Sequence, residues 1–298
     1  MSELWDVYTI DRRLTGKTCI RGKQGNLLED EFHLWVMVWI KNPKTGKYLM
    51  SQRVADKDTD PLKWETVAGH SILGETSLDV ALREVYEEVG IKLEPSDAKI
   101  IATKVTTSYD GQRQNWIRDS FYFETDKEPD LKKATTKEVN QTKWLTFDEF
   151  REMYEHGECC LNMGDLYGFE LNPVPDNGYQ DVIGKVVTGK IDRPIGSYHP
   201  RHKDLYYPVN YGYVNDIIGG DGAEQDIYLL GESSAVEEFM GKVIAVYHRY
   251  DDNETKWIVV PCDEDGNVPI GVRIPSRNEI YAQIAFQEQF YNGVLVGA

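Results

Sequence analysis

The run HLWVMVWI, His33 to Ile40, is almost continuously apolar and of strand length, so it predicts a buried β-strand. NPKTGK then reads as a turn and YLMSQR as a second strand. Further on, DSFYFET, Asp119 to Thr125, predicts another strand. TFDEFREMYEHG, Thr146 to Gly157, predicts a helix with Thr146 as its N-cap and Gly157 as its stop. After that the texture changes. NPVPDNG, Asn172 to Gly178, has the prolines and glycine of a linker, which places a domain boundary near residue 176. Short β-rich runs such as GKVIAVYHRY and KWIVVP follow, and SRNEIYAQIAFQEQFYNG, Ser276 to Gly293, predicts a closing helix.

Between the first strands and DSFYFET lies GETSLDVALREVYEEVG, Gly74 to Gly90. Leu78, Ala81, Leu82, Val85 and Val89 recur at helical spacing and form one apolar stripe. Thr76 and Asp79 have the spacing of a capping box, and Gly90 suits the helix end. At about 100° per residue, Glu84, Glu87 and Glu88 fall together beside the stripe. Like charges three and four residues apart destabilise a bare helix. A divalent cation would turn that liability into a site, since Mg²⁺ takes hard oxygen ligands and bridges carboxylates to substrate phosphates. The plainer account is a solvated acidic face with an Arg83–Glu87 pair.

Composition narrows the classes. The 298 residues suggest two domains, and 41% hydrophobic content is enough for packed cores. The net charge is -17, acids outnumber bases in both halves, and no long basic cluster occurs, which argues against general nucleic-acid binding. No apolar run reaches the length of a membrane span, and MSELWDVYTIDRR lacks a signal-peptide core, so a cytosolic, soluble protein is expected. Cys19, Cys159, Cys160 and Cys262 form no CxxC pair and read as reduced thiols, with no zinc site expected.

Gly69, Glu75, Arg83, Glu84, Val85, Glu87, Glu88, Gly90 and Ile91 reproduce G-x5-E-x7-R-E-U-x-E-E-x-G-U without a departure, U being a bulky aliphatic residue. The segment resembles the Nudix hydrolases, and the likeness extends over roughly residues 3–160. It implies an α/β/α sandwich and Mg²⁺ or Mn²⁺ held by Glu84, Glu87 and Glu88. Arg83 would orient a glutamate, and Gly69 would shape the loop that meets substrate. It also implies water attack on a small-molecule diphosphate. Glu138, on position alone, is the candidate base outside the box. HLWVMVWI and WETVAGHSILGE also resemble isopentenyl-diphosphate isomerase, a Nudix relative, with His33 and His70 at its metal-histidine positions. Ala68 stands in place of its catalytic cysteine, so isomerase activity is not expected.

In the second half, Asp221 and Asp226 flank a glycine-containing turn that can aim both carboxylates at one ion. Asp251, Asp252 and Glu254 follow in HRYDDNETKWIVVP, with Lys256 as a phosphate partner. Taken singly, each is a polar loop. Together they resemble the soluble family I inorganic pyrophosphatases over about residues 182–293. That resemblance implies an oligonucleotide-binding-like β-barrel with a C-terminal helix and several Mg²⁺ ions among the carboxylates. It makes Tyr211, Tyr291 and Arg201 phosphate contacts. This sequence departs from the family in its turn, D-G-A-E-Q-D for D-G-D-P-x-D. Ala223 replaces the aspartate that holds the nucleophilic water, Glu224 is the adjacent substitute, and Asn292 replaces a phosphate-binding lysine. The expected organisation is a Nudix domain over 1–165, a linker over 166–181 and a pyrophosphatase-like domain over 182–298. The second domain would either hydrolyse or bind inorganic diphosphate, or serve as a non-catalytic metal- and phosphate-binding module or a homo-oligomer builder.

Overall fold

The structure is a computed structural model that describes residues 3–109, 112–160 and 163–297. The chain divides into two compact units, one running to Tyr167 and the next starting at Gly168. Gly168 lies against Tyr250 of the second unit so closely that an added Cβ would stand 2.0 Å from the Tyr250 Cβ.

The first unit opens with the antiparallel pair β1 (Leu4–Tyr8) and β2 (Leu14–Ile20). Its main sheet holds β3 (His33–Lys41), β4 (Tyr48–Arg53), β5 (Trp64–Glu65), β6 (Val67–His70), β7 (Lys99–Tyr109), β8 (Gln112–Glu124) and β9 (Val139–Leu145). The order is β5-β4-β3-β8-β7, with β6 also paired to β3 and β9 to β4; β3 and β8 run parallel. The strand expected from Asp119 thus begins in the polar residues before it. Its pairing with β3 starts at Trp116 opposite His33, so backbone bonding rather than apolar content sets its length.

Alternation along β3 assigns the two faces. Val36, Val38 and Ile40 meet Val80, Ala81, Val85 and Val89 of helix α1 (Ser77–Val89) in one core. Each buried valine or isoleucine side chain of this core contributes about 1.5–3 kcal/mol relative to exposure. On the opposite face Trp39 meets Phe150 of helix α2 (Phe147–Glu155), with ring centroids 5.4 Å apart. Helices on both faces make this an α/β/α arrangement. Capping matches the sequence. Thr76 with Asp79 and Thr146 with Glu149 form capping boxes, and Gly90 adopts the left-handed conformation that favours glycine. A short helix, α3 (Asp165–Leu171), spans the division between the units.

The second unit contains β10 (Val186–Arg193), β11 (Asn210–Ile218), β12 (Glu224–Leu229), β13 (Glu238–Arg249), β14 (Thr255–Pro261), helix α4 (Arg277–Glu288) and β15 (Gly293–Gly297). The order β10-β11-β12-β14-β13 closes on itself because the start of β13 also pairs with β10; β15 adds to the end of β13. β12 and β14 are parallel and the other pairs antiparallel. Ile191, Val214, Ile227, Val243, Val246 and Val259 fill the interior, and Tyr179, Val182 and Ile183 pack against it. The Pro-rich stretch before Tyr179 is therefore anchored to this core by the residues that follow. The closing helix ends earlier than its sequence pattern suggests. After Glu288 the chain turns so that Asn292 O accepts from Tyr250 N, and residues from Gly293 pair with β13. Strand pairing satisfies those backbone groups where a longer helix would have left β13 with an open edge.

Candidate active site

Helix α1 lies with its apolar stripe on β3, which leaves the positions beside the stripe facing the edge of β6. Gly69 is on β6, paired with Val36 of β3. An added Cβ at Gly69 would stand 2.0 Å from Glu84 Oε1, so only glycine lets this carboxylate lie against the strand. Arg83 holds the group together. Its Nε and Nη2 donate to the two oxygens of Glu75 (2.6 and 2.9 Å), and its Nη1 donates to Glu84 (2.7 Å) and Glu87 (3.1 Å). Its Nη2 also donates to the His70 carbonyl at 3.0 Å. Burial works against the Arg83 charge, but the bond to Glu75 and the Glu84 carboxylate more than offset it and raise its pKa.

Gly69, Arg83, Glu84, Glu87, Glu88 and Glu138 all line one cavity of about 540 Å³. Helix, strand and the residue before β9 are thus brought to one place. Burial pushes Glu84 up to about 7, against the pull of Arg83 and with help from Glu87 and Glu138. Burial likewise raises Glu88 well above the usual carboxylate range, reinforced by the charges of Glu65, Glu84 and Glu138. The Glu88 carboxylate forms no ion pair or hydrogen bond among the described residues. Lys57 donates to Glu138. Among the described residues no three acidic, histidine or cysteine side chains already meet at a common ligating point.

Sequence reasoning missed Glu65. It lines the same cavity, takes two bonds from Arg53 Nη1 (2.8 and 2.9 Å), and is raised by burial despite Arg53. It lies outside the spaced motif, so only the β4–β5 pairing reveals it. Trp35 and Trp116 also line the cavity, with centroids 5.4 Å apart. Ala68 and His70 are on its wall. Trp5 stacks on His33 and on His70, with centroids 4.6 Å away in each case. Burial holds His33 down to about 4 and His70 well below its ordinary value. Both rings are therefore neutral at pH 7.

In the second unit, Tyr211, Asp226, Glu254 and Lys256 come together. Lys256 Nζ contacts Asp226 (2.5 Å), the Tyr211 hydroxyl (3.2 Å) and Glu254. Tyr291 lies under Arg249, whose guanidinium carbon is 3.6 Å from the ring centroid. Asp252 accepts from Arg249 at 3.4 Å. The remaining candidates have other partners or are exposed. Asp221 accepts from Ala223 N at 3.0 Å in an exposed turn, and Asp251 accepts from Asn292. Glu224 is exposed at the start of β12. Arg201 is exposed, with its backbone N–H on His199 Nδ1 at 3.1 Å. Arg249, Glu288 and Arg193 were not singled out in the sequence, because the contacts that bring Arg249 to Glu288 and Arg193 over Tyr211 form only when the barrel closes. Arg193 stands 4.8 Å over the Tyr211 ring.

Comparison with known proteins matches the NUDIX domain to residues 31–159. An uncharacterized Nudix hydrolase of Listeria monocytogenes is 36% identical over 159 residues, which span 52% of this chain and 87% of that protein. Nudix hydrolase 3 of Arabidopsis thaliana is 35% identical over 156 residues, 50% of this chain and 20% of the plant protein. Among solved structures, one from Deinococcus radiodurans superposes with a TM-score of 0.42 at 18% identity, covering 53% of this chain and 92% of its own.

Proposed function

This chain belongs to the Nudix hydrolase family through its N-terminal half, and we propose that it hydrolyses the diphosphate bond of a nucleoside diphosphate-linked or related small molecule. The observation that carries the reading is the convergence of Gly69, Arg83, Glu84, Glu87, Glu88 and Glu138 on one cavity of small-molecule size. The carboxylates fit a divalent ion. Glu88 is buried among like charges and has no bonded cation among the described residues, and Gly69 leaves Glu84 a place against the strand. Glu84, Glu87 and Glu88 would hold Mg²⁺ or Mn²⁺, which when bound stabilises charge on the phosphoryl oxygens and acidifies water. Arg83 sets the positions of Glu84 and Glu87 through its two bonds to them. Glu75 fixes Arg83 in turn, and is itself held by Ile72 N at 3.0 Å. Glu138 takes the proton of the attacking water, with Lys57 keeping its carboxylate in place. General-base help of this kind contributes about 10²–10⁴-fold.

Hydrolysis is favoured over isomerisation because Ala68, on the cavity wall, has no proton to move. For the second unit, the closed five-strand order with β12 parallel to β14 supports an oligonucleotide-binding-like barrel. Ala223 and the ties on Asp221 and Asp251 favour the non-catalytic reading of that unit over a diphosphatase. No helix among the described residues is long and apolar enough to cross a membrane; a cytoplasmic location is our reading of the sequence. The test is turnover of nucleotides, sugar nucleotides and dinucleotide polyphosphates with Mg²⁺. Cleavage of at least one, lost on chelation, is expected; no cleavage across the panel would refute the proposal.

A further inference from the structure

The resemblance of the second unit to soluble pyrophosphatases implies divalent ions among Asp221, Asp226, Asp251, Asp252 and Glu254. The structure puts side-chain cations against these carboxylates. Lys256 is 2% exposed, and its ammonium is bonded to Asp226, Glu254 and the Tyr211 hydroxyl. Arg249, also 2% exposed, donates to Glu254 (2.9 Å) and Asp252 (3.4 Å) and to both oxygens of Glu288 (2.7 and 2.8 Å). Glu288 is itself fully buried and takes a bond from the Tyr228 hydroxyl. Asp252 also accepts from Glu254 N at 3.0 Å. Asp221 and Asp251, the other two members, are bonded to Ala223 and Asn292. Every carboxylate of the set has a partner within the chain, and three of the five face a buried cation.

We infer that Arg249 and Lys256 take the part of a divalent ion in this unit, closing its acidic cluster so that it takes no Mg²⁺ or Mn²⁺. The cations are built into the barrel. Arg249 ends β13, whose register is held by β14 on one side and β15 on the other. Its guanidinium stays protonated, and its two-pronged bond to Glu288 ties β13 to α4. Lys256 is on β14, paired to Tyr247 of β13. A divalent ion at Asp226 and Glu254 would meet an ammonium already bonded to both, and displacing that ammonium would leave a buried charge without its partners. The turn points the same way, since Ala223 stands where a further carboxylate would be needed. With no metal at this cluster, the unit has no metal-activated water with which to split inorganic diphosphate. The inference rests on the second unit alone and stands apart from the reading of the first.

The test uses the full chain and Mn²⁺ as probe, with bound ions counted by equilibrium dialysis. Asp226→Asn combined with Glu254→Gln is expected to bind as many Mn²⁺ as the unmodified chain; the loss of one or more ions would overturn the inference. Lys256→Gln uncovers Asp226 and Glu254, so it is expected to gain Mn²⁺ affinity about tenfold or more at a new site. Added Mg²⁺ should also raise its Tm more than it raises that of the unmodified chain; equal Mg²⁺ shifts and an unchanged ion count would count against it. A further measurement needs no change in the second unit. In the full chain carrying Glu88→Gln, which disables the first site, Mg²⁺-dependent phosphate release from diphosphate is expected to be absent. Release that survives this change would overturn the inference.

Discussion

Replacing Gly69 with alanine puts a methyl group 2.0 Å from Glu84 Oε1, 2.1 Å from its Cδ and 2.5 Å from its Cγ. No real contact is that close, so the carboxylate must leave. β6 cannot yield, because Gly69 is paired to Val36 between Val38↔Val67 and Trp35↔His70. Glu84 is the end of a flexible chain, so it swings instead and gives up its 2.7 Å bond to Arg83. A bond to a charged group is worth about 1.5–3 kcal/mol. Arg83 keeps both bonds to Glu75, and the displaced carboxylate gains water, so the net cost should be about 1 kcal/mol, or a Tm drop of about 2–4 °C. Activity should suffer far more, because displacing a positioned group by about 1 Å costs about 10²-fold. The assay is kcat on the best substrate of the panel, beside thermal unfolding of the same preparation. A variant with near-normal kcat and unchanged Tm would show that the position of Glu84 against the strand does not matter. A Tm loss several times larger would show that the strand, rather than the side chain, had moved.

Glu87→Gln and Glu88→Gln should each lower kcat by several orders of magnitude while the chain remains folded, since each removes a charged oxygen proposed to hold metal. For Glu88, buried among like charges, Tm should hold or rise; near-normal turnover in both variants would sink the assignment. Isopentenyl diphosphate should not be converted to its allylic isomer, and Ala68→Cys should gain no more than a trace; product detected by chromatography from the unmodified chain would contradict this. Arg12 is bonded to both oxygens of Asp119, a residue 1% exposed. Arg12→Met should therefore cost about 3–5 kcal/mol at pH 7 by denaturant unfolding. Burial alone would raise Asp119, but Arg12 outweighs it and the pKa is lowered, so the pair's stabilisation is present above about 4 and lost as pH falls through the folded value. The deficit of the variant should shrink in that acid range, and a deficit independent of pH would refute the pairing.

Much of the first site is legible from spacing, and the reason is local. Arg83, Glu84, Glu87 and Glu88 belong to one helix, where 3.6 residues per turn brings them together before any tertiary contact forms. Thr76, Asp79 and Gly90 mark its ends through bonds made within a few residues. Gly69 and Glu75 are readable only because the motif carries them at fixed distances along the chain. Strands such as His33 to Lys41 announce themselves because both faces are buried, so nearly every residue is apolar. Glu65 and the aromatic wall of Trp35 and Trp116 have no such signature. They join the cavity because β5 pairs with β4 and β8 lies parallel to β3, and neither pairing leaves a local trace.

In the second unit the division is sharper. The acidic turns and Lys256 are visible as residues, and Lys256 meets Glu254 only two positions away, but the contacts that complete the cluster form when the barrel closes. Lys256 meets Asp226 across the β12–β14 pair, 30 positions apart, and Arg249 meets Glu288 across 39. Sequence alone presented five carboxylates and invited an ion. The tertiary structure decided which cations stand among them, because a buried charge takes whatever partner the closed fold brings within reach.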